Sequence, residues 1–140
     1  MTVITQVDTT LWALISRLQG TELQTPYTPS NSRFGVASID ATSVTITTGA
    51  KDSAVVLTRA AFQQTLDYLT THEHIGQAHA VVIQSSHDKE KAGPLCLAAR
   101  KQPNGKSGTC VITYILPILE QCQVVGISRM AAPTTTWLLH

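Results

Sequence analysis

Leu11, Leu14, Ile15 and Leu18 recur at the spacing of one helical face. They predict a helix over 9–19, with Asp8, Thr9 and Thr10 as candidate caps and Gly20 at its end. The stretch TELQTPYTPSNS that follows carries two prolines among Ser, Thr and Asn and reads as a loop. From Arg33 the period changes to two. Phe34 and Val36, then Val44 and Ile46, then Val55 and Leu57 alternate with polar residues, broken at Asp40-Ala41 and at Thr48-Gly49-Ala50. This pattern predicts a three-strand antiparallel meander with one wetter face. Thr58 is then placed to cap a helix over 59–71, with Leu57 and Phe62 at staple spacing and Phe62, Leu66 and Leu69 on one face.

Further along, HAVVIQ (79–84) is a short apolar run that suits a central strand, and SSHDKEKAG reads as an exposed loop. Pro94 can open a short helix, PLCLAARK, because the first turn needs no N–H there. Val111, Ile115, Ile118, Leu119 and Cys122 share one face of a second helix, with Thr113, Pro117, Glu120 and Gln121 opposite, so Pro117 is expected on the wet side of a kinked helix. Val124–Ser128 and Thr134–Leu139 flank a turn containing Pro133 and predict a C-terminal hairpin. The fold class is therefore α+β: an antiparallel meander with packed helices and a C-terminal helix plus β-hairpin, in a single domain over 1–140.

Composition narrows the function classes. Apolar residues are 43% of the 140 and charged residues 14%, which supplies a core and argues against disorder. Three cysteines without CxxC spacing and no signal-peptide pattern point to a reducing cytoplasm. No apolar run is long enough to span a bilayer, so no membrane partner is expected. A net charge of +1 gives no general affinity for nucleic acid, so any such site must be local.

One local candidate is the acid-free interval between Glu90 and Glu120, which holds Lys91, Arg100, Lys101 and Lys106. Ser107 or Thr109 can cap the helix that follows, and a helix N-terminus beside cations attracts phosphate. The alternative is a solvated loop capped for stability. GKSGT does not match a P-loop, because the first glycine of that pattern would fall at Arg100. His72 and His74 could share a metal only on a strand; at a helix end they are expected to diverge, with His87 and Asp88 as the one plausible completion, so no metal or other cofactor is expected. Cys110, at a helix start, is the thiol whose pKa the N-terminus would lower. Carboxylates and lysine are not spaced as in a metal-dependent nuclease, and the chain reads as non-catalytic. Trp12 and Trp137 suit packing, while Tyr27 near Arg33 is a candidate stacking platform.

RFGVASIDATSVTITTGAKDSAVVLTRAAFQQTLDYL, with VITYILPILEQCQVVGI and the closing hairpin, resembles small modules associated with bacterial restriction endonucleases, the last part being similar to a winged-helix end. The resemblance implies DNA recognition in restriction or phage defence, with nuclease activity residing elsewhere. The apolar helix with Pro117 departs from a recognition helix. Arg59, Gln63 and Gln64 offer better base-reading chemistry, since Arg suits guanine and Gln suits adenine edges. The leading expectation is thus a non-catalytic DNA-binding accessory module that uses Arg100, Lys101, Lys106, Ser107 and Thr109 for phosphates and Arg59, Gln63 and Gln64 for bases. The second is a protein–protein adaptor or homodimer that pairs through a hairpin or sheet edge. A small metal-dependent nuclease or hydrolase is third.

Overall fold

The computed structural model describes residues 3–48, 53–86, 88, 90–102, 108 and 110–139. Helix α1 (Thr9–Ser16) starts where the Asp8 side chain accepts from the Leu11 N–H, and it buries Leu11, Trp12 and Ile15. It is shorter than the spacing predicts. The chain past it makes turns, and Gly20, at φ +88, donates its N–H to Val36.

Within the stretch expected to be a loop, Glu22–Gln24 forms a strand, β1, which pairs antiparallel with β2 (Arg33–Ile39). Three residues with little apolar alternation leave no readable period, so the strand exists by virtue of its partner. The predicted meander follows as β2, β3 (Ser43–Thr48) and β4 (Ser53–Thr58), giving a sheet of order β1-β2-β3-β4. Asp40 closes the β2–β3 turn by accepting from the Thr42 and Ser43 N–H groups at 2.8 Å each. These donors, with the Ser43 hydroxyl, hold its carboxyl below the usual value. Helix α2 (Arg59–Thr71) begins as the sequence predicts. Thr58 Oγ1 accepts from the Ala61 N–H at 3.1 Å, and Leu57 and Phe62 are both fully buried.

HAVVIQ contributes only the two-residue strand β5 (Val81–Val82), which lies at the edge of its sheet, not at the centre. Helix α3 (Pro94–Ala99) opens on Pro94 as expected, and α4 (Ile112–Gln121) leads into the hairpin β6 (Val125–Ser128) and β7 (Thr135–Leu138). The second sheet has the order β5-β7-β6. In it Gly126 faces Trp137, whose ring would lie 2.5 Å from any Cβ there, so the missing side chain is what lets the indole lie against the strand.

Pro117, expected on the wet face, is buried, and so are the neighbouring Ile112 and Leu116. The reason is placement: α4 packs against α3 on one side and against β1 and β6 on others, so it is enclosed instead of lying on the surface. All the buried apolar side chains form one cluster that joins both sheets and the helices. Arg129, just beyond β6, ties the halves together. Its guanidinium reaches Glu120 of α4 at 2.6 Å and the Thr25 carbonyl, past the end of β1, at 2.7 Å.

Candidate functional site

The side chains expected to read bases are committed inside the fold. Arg59 donates to the carbonyls of Val7 at 3.0 Å and Ala41 at 3.3 Å, and its guanidinium lies 5.0 Å from the Trp12 ring centroid. Gln63 accepts from the Val7 N–H at 2.7 Å and donates to the Thr5 carbonyl at 3.0 Å, holding the segment before α1. Gln64 donates to the Lys101 carbonyl at 3.1 Å. Two of the three side chains thus fasten the N-terminal segment, and the third fastens the chain after α3.

The expected phosphate seat changes as well. Arg100 is 4% exposed and donates to the Ser86 carbonyl at 2.6 Å, whereas Lys101 and Lys91 are exposed on separate segments. Lys106, Ser107 and Thr109 lie outside the described residues. The N-cap of helix α4 is Val111, which makes no side-chain cap bond. Cys110, Val111 and Ile112 at that helix end are themselves buried.

His72 and His74 do not diverge as expected. Glu73 takes φ +56, and this turn brings the two rings to 12° of parallel with centroids 6.2 Å apart, beside Tyr68. Each Nδ1 lies near a main-chain carbonyl, Tyr68 for His72 and His79 for His74. No group of three or more ligating side chains gathers among the described residues, and His87 lies outside them. Tyr27 is partly exposed, but Arg33 pairs with Glu22 at 3.4 Å. Cys110 is buried, and its thiol is pushed up, not down. The neighbouring Cys96 thiol is the main cause and burial the next, outweighing a main-chain hydrogen bond from Ser86 and the Arg100 charge.

What the folded chain does expose is the edge of β4. Register with β3 runs unbroken from Ser43↔Thr58 to Thr48↔Ser53, and the Arg59 N–H donates to the Thr42 carbonyl just beyond it. Antiparallel pairs alternate in direction, so the main-chain groups of Ala54, Val56 and Thr58 point away from β3. Among the described residues, β4 pairs with no strand on that side. Val55 and Leu57 face the core, opposite Ile46 and Val44, while Ala54, Val56 and Thr58 lie on the outer face with Ser43, Thr45 and Thr47. Val56 is 55% exposed, and none of these outer residues carries a charge.

Beside the Thr58 end of this edge lies a half-open hollow of about 230 Å³, with Val56, Thr58 and Gln64 on one side and Lys101, Gln102 and Gly108, from the chain after α3, also in its wall. It falls short of the roughly 300–1,000 Å³ typical of small-molecule sites. Gln64 Oε1 is sealed from solvent there and has no donor among the described residues. The expected meander already puts its third strand at a margin, and a sheet edge is the pairing surface of the second expectation; the structure adds that β1 covers the other margin. No family model, curated protein or solved structure matches the chain.

Proposed function

We propose that this chain is a protein-interaction module whose β4 edge pairs antiparallel with the β4 edge of a second copy. The observation that supports the reading is the edge itself, a regular six-residue strand without charge or proline that pairs with no strand on its outer side among the described residues. Edges of this kind are usually shortened, charged or covered, because their free N–H and C=O groups recruit other strands.

The edge is also self-complementary. A two-fold axis through Val56 sets Val56 against its copy and Ala54 against the partner copy's Thr58 position, which places the outward-pointing main-chain groups opposite one another. This register keeps core-facing and outer-facing side chains on matching faces of the extended sheet. The outer residues bring no like charges together, and the chain is near neutrality at +1.

Light scattering over a dilution series tests the reading. The expected result is a mass of two chains that falls to one on dilution, without dependence on salt. A single-chain mass at every concentration overturns it. Retardation of random-sequence DNA that weakens steeply with salt would instead favour the duplex-binding alternative, with Lys101 and Lys106 as its residues.

A further inference from the structure

Cys96 and Cys110 are 14 positions apart in sequence, yet their sulfurs lie 3.4 Å from each other. Cys96 sits within α3 and is fully buried; Cys110 precedes α4 and is 5% exposed. A disulfide needs a sulfur separation of about 2.05 Å, so closing the bond requires an approach of roughly 1.4 Å. The pair lies in the apolar cluster among Leu95, Ala99, Val111 and Ile112, with Arg100 the nearby charge. Cys122, by contrast, stands alone on α4's C-cap, and burial pushes its thiol up to about 11.

We propose that Cys96 and Cys110 form a peroxide-oxidisable thiol pair that closes into an intrachain disulfide, tying α3 to the start of α4. The chemistry balances with hydrogen peroxide as the oxidant. The Cys110 sulfur, the less buried of the two and the one that receives the Ser86 hydrogen bond, attacks one peroxide oxygen. The O–O bond breaks, and sulfenic acid forms while hydroxide leaves and takes up the thiol proton as water. The Cys96 sulfur then attacks the sulfenic sulfur, the S–O bond breaks, and a second water leaves with the Cys96 proton. Both sulfurs are oxidised and one peroxide is reduced to two waters.

The thiolate is the reacting form, and the Cys110 thiol is held protonated at neutral pH by its neighbour and by burial. Oxidation should therefore accelerate as pH rises. The site does not depend on β4 pairing: its atoms belong to α3 and the approach to α4.

The test uses the full chain with Cys122→Ala, folded by circular dichroism, treated with hydrogen peroxide at neutral and mildly alkaline pH. The expected product has lost two hydrogen atoms by intact mass, has no alkylatable thiol after unfolding, and gives one linked peptide spanning 96 and 110 that dithiothreitol releases. It should form faster at the higher pH. In a Cys96→Ser, Cys122→Ala chain, Cys110 should stop at a sulfenic acid that dimedone traps. Addition of oxygen atoms to Cys110 while Cys96 stays an alkylatable thiol would overturn the proposal, as would two intact thiols after treatment at either pH.

Discussion

The two edges of the four-stranded sheet are built in opposite ways. At one edge, β1 is three residues long, carries Glu22 in an ion pair with Arg33, and has the carbonyls beyond its end drawn in by Arg129. At the other, β4 is twice as long, uncharged, regular in register and exposes Val56. Among the described residues, the same sheet thus closes one margin to strand addition and leaves the other without a paired strand. The physical devices that defend an edge are present on one side and missing on the other. That difference is why β4 is the candidate interaction surface and β1 is not.

The largest expected effect comes from making β4 resemble β1. Val56→Lys places two like charges opposite each other at the proposed two-fold axis and should weaken self-association at least about tenfold. Because Val56 is 55% exposed, the monomer should keep its stability within about 0.5 kcal/mol. Light scattering and urea denaturation read the two effects separately. A Val56→Lys chain that still dimerises as the parent does would remove the distinction between the edges.

Next in size is the defended side. Arg129→Ala leaves Glu120 without its partner and frees the carbonyls near β1, and both side chains of the pair are mostly buried at 20% and 25% exposure. A loss of about 2–3 kcal/mol is expected in urea denaturation, toward the lower end for breaking a buried pair because some solvent reaches this one. Association through β4 should be unchanged in the folded fraction.

Thr58→Ala comes third. It removes the hydroxyl that caps α2 at the point where the open edge runs into the helix, a change of about 1 kcal/mol in stability. Smallest is Asp40→Asn in the β2–β3 turn, whose carboxylate bonds only to Thr42 and Ser43 among the described residues and to no main-chain group of β4. Asp40's carboxyl is held below its ordinary 3.8 by Thr42 and Ser43. Its stabilisation is therefore present above that value and is lost as pH falls through the lower folded one. The Asn variant should show a flatter loss of stability in acid, read from thermal melts at a series of pH values, with β4 pairing at neutral pH unaffected.

Much of the architecture was legible because it rests on local signals. The β2-β3-β4 meander follows from period-two alternation, α2 from the Thr58 cap and the Leu57–Phe62 staple, and the C-terminal hairpin from two short runs around Pro133. The failures share a cause. Whether β1 forms, whether HAVVIQ is central, and whether Pro117 meets water are each decided by distant chain, and a helix enclosed on several sides has no face that its period can reveal. The site was least legible. Arg59, Gln63 and Arg100 read as solvent-facing polar chemistry, yet each satisfies main-chain groups far away in sequence, as Arg129 does. The meander's third strand was readable as a margin of the sheet, but which margin β1 would cover was not, because β1 carries no period of its own.

Amide hydrogen exchange at Ala54 and Val56 tests the central claim most directly, because these N–H groups point away from β3 and have no strand partner among the described residues of a single copy. The account predicts strong protection at high protein concentration that disappears on dilution or in Val56→Lys, while the amides of Val55 and Leu57 stay protected throughout. Rapid exchange of Ala54 and Val56 at every concentration would contradict it.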